Sequence, residues 1–193
     1  MINNPVSYLF GSLEEKLSSN EISILEQFNK SVSRLSIPSK TTLLYEGKVA
    51  DKLYWIKKGC LRLFFYNEGK DVTFQFFFEN DYVASFTSLY KHQPSYFSLE
   101  SIEPTEMLVI KRERLYNLIE QIPSIRIAYE EKLIDRLHIY QQLFLSRIKD
   151  TPRQRYEELL KEHLDIIQRV PQHYIASYLG ITPVSLSRIR NKS

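Results

Sequence analysis

The spacing of apolar residues along the chain changes character more than once. Over residues 13–29 the positions Leu13, Leu17, Ile22, Leu25 and Phe28 keep to one helical stripe, which predicts an amphipathic helix. Between about residues 34 and 110 the pattern shortens to runs rich in aromatic and β-branched residues: "TTLLYEG", "KLYWIKKG", "CLRLFFYNEGKDVTFQFFF" and "FSLESIEPTEMLVIK". Gly, Asn, Asp and Pro separate these runs, so they read as short strands. Within the third, two aromatic, β-rich runs flank Asn67-Glu68-Gly69-Lys70, where Gly69 supplies the positive φ that a tight hairpin needs. Antiparallel strands at this spacing predict a small sandwich or barrel.

The period then returns to that of helices. A short helix is predicted over 112–120, and Pro123 opens a long one reaching about Lys149. Along it Ile125, Tyr129, Leu133, Leu137, Tyr140, Phe144 and Ile148 form one apolar stripe, with Ile127, Ile134 and Leu145 beside it. One face can pack on the β domain. The other, if left in water, costs ~25 cal/mol per Å² of apolar surface, so a helix from a second copy is its expected cover. The plainer alternative is that both stripes are intramolecular core. Asp150-Thr151-Pro152 interrupts the helix and serves as a hinge: Thr151 caps the next helix, Pro152 suits its first turn and Gln154 completes a capping box. In "RQRYEELLKEHLDIIQRV" the residues Tyr156, Leu159, Leu160, Leu164 and Ile167 share a face.

The chain ends on "QHYIASYLGITPVSLSRIR". Ile175, Ala176 and Leu179 lie on one helical face, Gly180 suits a left-handed turn, and Thr182-Pro183 is an N-cap followed by a helix-opening proline. On the second helix Leu186 and Ile189 point inward, leaving Val184, Ser185, Ser187, Arg188 and Arg190 outside. A small apolar side chain for a thymine methyl, hydroxyls for phosphates and an Arg for guanine are what a DNA-reading helix needs. A small helical packing unit is the bland alternative.

Composition narrows the field. A chain of 193 residues has room for one substantial core and a small second unit. Cys60 is the only cysteine, which excludes a disulfide framework and a cysteine-based metal site. His92, His138, His163 and His173 are too scattered for a helical metal pair, so no metal and no cofactor are expected. Only His92 falls within the β region, and no nucleophile elbow or phosphate loop occurs, which argues against a jelly-roll enzyme. The start lacks a basic stretch leading into a long apolar run, and no span of membrane length occurs, so a cytoplasmic protein without a membrane partner is expected. The net charge is only +3, yet the last 25 residues hold Arg169, Arg188, Arg190 and Lys192 and no acid. That asymmetry favours a nucleic-acid partner, although a solvated basic face would look the same.

Taken together, "IASYLGITPVSLSRIR", the aromatic β region, the helix opening at Pro123 and the break at Asp150 resemble the Crp/Fnr family of bacterial transcription regulators, in particular a branch common in Bacteroidetes. The resemblance implies an α+β protein with three parts. These are a cyclic-nucleotide-binding-like, double-stranded β-helix (jelly-roll) sensor over 1–110, a helical linker with a long dimerisation helix over 111–149, and a winged helix-turn-helix over 150–193. It further implies a homodimer that reads a near-palindromic site in double-stranded DNA and works with RNA polymerase. Pro183, Val184 and Arg188 then stand at base-reading positions, and Gln172, His173, Thr182, Ser185 and Ser187 near phosphates, with Arg190 adding charge. The effector pocket would involve Ala84, Ser85, Ser95, Tyr96 and Tyr140. Ala84-Ser85 and Ser95-Tyr96 stand where cyclic-nucleotide sites of the family carry a Gly-Glu and an Arg-Ser pair, which argues against cyclic AMP and leaves another small effector, or none, open. A dimeric protein-interaction adaptor remains the alternative from another class.

Overall fold

The computed structural model describes Val6, Phe10 and residues 17–191. Leu13 and Lys192, used above, lie outside the described residues. The first described helix, α1 (Ser19–Ser31), begins with a capping box in which Ser18 and Glu21 satisfy each other's backbone donors. Eight strands follow: β1 (Ser33–Ile37), β2 (Thr42–Leu44), β3 (Lys52–Lys58), β4 (Leu61–Asn67), β5 (Lys70–Phe77), β6 (Tyr82–Val83), β7 (Ser98–Ser101) and β8 (Thr105–Lys111). They form two four-stranded antiparallel sheets, in the orders β1-β8-β3-β6 and β2-β7-β4-β5. A short helix α2 (Phe86–Lys91) sits between β6 and β7.

The side chains explain why both sheets are covered on both faces. In β3 and β8 every second residue, Tyr54, Ile56, Met107 and Val109, turns toward the other sheet and packs with Leu61, Leu63, Phe77 and Leu99. The intervening Leu53, Trp55, Leu108 and Ile110 pack instead on helices. The result is the unbroken apolar run that hides a period of two from the sequence. The β4–β5 hairpin closes through Glu68 and Gly69, both left-handed at φ 50° and 75°, with Asn67 paired to Lys70. A turn with two positive φ values matches the twist of the strands. Gly59, at φ 108°, is fixed by contact as well as by conformation: a Cβ there would stand 2.7 Å from the Pro104 carbonyl oxygen.

Helix α3 (Arg112–Gln121), which the sequence placed in a linker, contributes Leu115, Leu118 and Ile119 to the same core as α1 and the outer face of β3 and β8. Helix α4 (Pro123–Lys149) adds Ile125 and Tyr129 from its first turns. The single long stripe read from the sequence does not stay on one side. Its mostly four-residue steps drift around a helix of about 3.6 residues per turn. Leu137, Phe144 and Ile148 consequently join Ile127, Ile134 and Leu145 on an exposed face, with Phe144 and Ile148 each 67% accessible. The covered side carries Arg136, which is buried, and Tyr140, whose ring lies 5.4 Å from that of Phe74.

At Asp150 the backbone becomes extended, and Thr151 caps α5 (Pro152–Glu162) in a capping box with Gln154. The amphipathic run beyond is not one helix. It breaks at His163 (φ −139°, ψ 56°), so α6 (Leu164–Arg169) turns Ile166 inward and leaves Leu164 exposed, contrary to the face read from the sequence. Helices α7 (Gln172–Tyr178) and α8 (Pro183–Arg190) complete the unit. The β-hairpin wing implied beside them does not occur among the described residues, whose strands all lie between Ser33 and Lys111. Tyr156, Leu159, Ile166, Ile175, Leu179 and Leu186 form its core together with Cys60 and Phe76 of the β domain. The unit therefore packs on the outer face of the second sheet.

Candidate nucleic-acid interface

The junction of α7 and α8 is built by backbone chemistry. Gly180 takes φ 69°, its N–H donates to the Ser177 carbonyl and the Ile181 N–H donates to the Ala176 carbonyl, each over 2.9 Å. This pairing closes the end of α7 and turns the chain sharply. Two residues later the Thr182 hydroxyl accepts from the Ser185 N–H at 3.1 Å, and Pro183 opens α8. Ala176 is wholly buried between the helices, beside Ile175, Leu179 and Leu186, so a larger side chain would push the two apart.

The outer surface of this pair gathers most of the residues singled out in the sequence. Gln172, His173, Thr182, Pro183, Val184, Ser187, Arg188 and Arg190 are all exposed, Val184 at 61%. Ser185 is only half-exposed, and its hydroxyl lies 3.0 Å from that of Thr182, so it belongs first to the cap. Arg169, counted above with the basic terminus, does not share this face. Its guanidinium makes two 2.8 Å bonds to Glu79 and another bond to Glu103, both in the β domain. That hydrogen bonding holds the Glu79 carboxyl at about 2, down from 4.5. Among the described residues, Arg188 and Arg190 have no carboxylate within ion-pair distance.

The opposite side of α7 is fastened to the β domain by residues that sequence reasoning missed. Arg62 of β4 is 2% exposed and makes two 2.6 Å bonds to Asp71, one of 3.0 Å to Thr73 and two more to Glu100. Its guanidinium is sandwiched between the rings of Phe64, at 4.0 Å, and Tyr174 of α7, at 3.8 Å. Burial opposes its charge, yet the bonds it donates to Asp71 and the nearby charges outweigh it and raise its pKa. Ser177 adds two backbone bonds, accepting from the Thr73 N–H at 2.9 Å and donating to the Asp71 carbonyl at 3.1 Å. Tyr178 meets Phe76 with ring centroids 5.2 Å apart. The one trace of this seam in the sequence is a lone arginine in the apolar run "LRLFF".

The residues named for an effector pocket are only partly brought together. Ala84, Ser85 and Ser95 are buried, and the two serine hydroxyls bond to each other at 2.8 Å. Ser95 Oγ also donates to the Phe97 carbonyl at 2.7 Å and accepts its N–H at 3.0 Å. Tyr96 instead lies on the surface, 70% exposed, in the bend that precedes β7. Tyr140 packs against Phe74. Burial also drives the Cys60 thiol up in pKa, in keeping with an inert core cysteine. Among the described residues no group of His, Cys, Asp or Glu could hold a metal ion, and no helix is long and apolar enough to cross a membrane.

Comparison with known proteins places this architecture. Residues 34–122 match the cyclic nucleotide-binding domain family, a span that takes in α3. No curated protein sequence matches the chain. Among solved structures it is similar to FixK2 from Bradyrhizobium japonicum, with a TM-score of 0.72 and 17% identity over 83% of each chain. It also resembles the c-di-GMP responsive global regulator CLP of Xanthomonas campestris, with a TM-score of 0.69 and 18% identity over 89% of this chain and 90% of that one. The Thermus thermophilus catabolite activator protein aligns with a TM-score of 0.56 and 22% identity, over 96% of this chain and 86% of that one. Residues 34–122 thus match the cyclic nucleotide-binding domain family, in a chain whose fold is that of FixK2, CLP and the catabolite activator protein.

Proposed function

We propose that this chain is a homodimeric, sequence-specific DNA-binding transcription regulator and not an enzyme, with α8 entering the major groove. The observation that carries the reading is the outward face of α8. Val184, Ser187, Arg188 and Arg190 stand exposed, with neither arginine paired to a carboxylate among the described residues, on a helix held in place by a buried Leu186. Arg188 would read a guanine through its paired acceptors, while Pro183 and Val184 offer apolar contact to thymine methyls. Gln172, His173 and Thr182 surround the helix at positions suited to phosphates, and Ser185 and Ser187 add hydroxyls. The exposed apolar face of α4, from Ile127 to Ile148, is the surface on which a second copy would pack. A dimer of this kind presents two α8 helices to half-sites about one helical turn, ~34 Å, apart. The protein would act in the cytoplasm beside RNA polymerase. Cyclic AMP is not the expected effector, because Ser85 and Ser95 offer neutral hydroxyls already bonded to each other.

The test is a titration of the purified chain with sheared genomic duplex DNA at several salt concentrations. Log affinity should fall linearly with log salt, by roughly one unit of slope per phosphate contacted. A dimer that shows no salt-dependent affinity for DNA would instead support the adaptor reading and refute this one.

A further inference from the structure

The end of α7 is closed by more than its own backbone. The carbonyls of Ile175, Ala176 and Ser177 accept from the N–H groups of Leu179, Ile181 and Gly180, each over 2.9 Å. The next two carbonyls are met by side chains from outside the helix pair. Arg147, in the last turn of α4, donates through Nη2 to the Tyr178 carbonyl, and Arg155 of α5 donates through Nη2 to the Leu179 carbonyl at 2.9 Å. Through Nη1 the same Arg155 donates at 2.6 Å to the carbonyl of Asp150, where the chain leaves α4 for α5. A Cβ at Gly180 would stand 3.2 Å from Arg147 Nη1, so the bare backbone of the turn is also what admits the guanidinium. Two arginines from either side of the hinge thus converge on the turn that leads into α8.

Like charges do not gather in this way without a reason. Among the described residues neither arginine has a carboxylate within ion-pair distance. Loss of water around the Arg147 guanidinium and the charge of Arg155 beside it both lower the Arg147 pKa. What offsets this is the negative end of α7, whose terminal carbonyls favour cations and accept charge-assisted bonds. Elsewhere the C-terminal half of α4 is separated from α5 and from the end of α7 by a cavity of about 780 Å³, so close packing does not join those surfaces. The exposed apolar face on which a second copy would pack runs to Phe144 and Ile148, beside Arg147. We propose that Arg147 and Arg155 are positioning residues for DNA reading, which clasp the hinge and the end of α4 to the turn before α8 and so set how a dimer spaces its two α8 helices. Contacts within one half-site belong to α8 itself; the register between half-sites passes through the clasp. The role in reading rests on the DNA-binding function proposed above, whereas the clasp does not.

Two measurements on the full chain test this, and the first needs no DNA. Cys60 is buried and is the only cysteine, so Asp135→Cys on α4 and Asn191→Cys at the end of α8, both at exposed positions, can be spin-labelled selectively. Labelled chains diluted with unlabelled protein then report the distance from α4 to α8. The parent is expected to give one narrow distribution and Arg147→Gln a broader one; Arg147 is exposed, so this change leaves no gap in the core. Equal distributions overturn the clasp. The second measurement uses duplexes bearing the inverted repeat that the parent selects from its own genomic DNA, at its native spacing, with one base pair added or removed between half-sites, and as a single half-site. Arg147→Gln should weaken binding at the native spacing about tenfold, because a loosened second α8 has a lower effective concentration at its half-site. Single half-sites and misspaced duplexes should lose little, so the preference for spacing flattens. Arg147→Lys, which keeps a cationic donor for the Tyr178 carbonyl, should restore most of it, and Arg153→Gln, exposed on α5, should change nothing. An unchanged preference for spacing, or an equal loss on every duplex including the half-site, overturns the positioning role. A parent chain that selects no repeat refutes the regulator reading, and the spin-label distances then decide the clasp alone.

Discussion

Helices α7 and α8 are neighbours of almost equal length, yet they face opposite fates. The first turns its side chains to the protein: Tyr174 lies on Arg62, Ser177 bonds to the backbone of β5, and Tyr178 packs on Phe76. The second touches the core chiefly through Leu186 and leaves Val184, Ser187, Arg188 and Arg190 outward. One helix holds and the other is presented. The difference teaches that a reading helix so short depends for its placement on a neighbour fastened to the β domain, here through the buried and charge-matched Arg62.

Substitutions can separate the two roles. The largest effect belongs to the anchor. Arg62→Ala would leave Asp71 and Glu100 without their buried partner and should destabilise the fold by about 3 to 5 kcal/mol, measured by urea denaturation. A loss under about 1 kcal/mol would mean that α7 is not held by this pair. Arg188→Ala should leave that denaturation midpoint in place but weaken the cognate site by ~1 to 3 kcal/mol and relax preference at one base pair per half-site. An equal loss on cognate and scrambled duplexes would make Arg188 a phosphate clamp. Thr182→Ala removes the cap of α8 and should cost about 1 kcal/mol, seen as a lowered melting temperature with weaker DNA binding.

The smallest effect is set by pH. Glu79 is held at about 2 by its bonds from Arg169, below its ordinary 4.5. A depressed carboxyl contributes stability that is present above its unfolded value and fades as pH falls toward the folded one. The parent chain should therefore lose slightly more stability between pH 4.5 and 2 than Glu79→Gln does. Identical acid titrations of the two would remove Glu79 from the seam.

What the sequence made legible was local. The hairpin at Gly69, the capping box at Thr151 and the turn at Gly180 each follow from a few adjacent residues whose backbone needs are specific. The outward face of α8 was legible for the same reason, since Leu186 and Ile189 fix its inner side. The seam was not, because Arg62 joins Asp71, Glu100 and Tyr174 across long stretches of chain, and no periodicity records such a meeting. The break at His163 carries neither Pro nor Gly, so the run around it reads as continuous. Arg136 stands in phase with the buried Ile125 and Tyr129, a clue to its burial that hydrophobic patterning alone passes over.

The central claim is tested most directly by selecting the purified, ligand-free chain against fragments of its own genomic DNA at physiological and at raised salt. Enrichment of an inverted repeat whose half-sites lie about one helical turn apart, and whose guanine preference disappears with Arg188→Ala, is the expected result. Weak binding that shares no sequence, vanishes as salt rises and remains so when the selection is repeated with cell extract would contradict it.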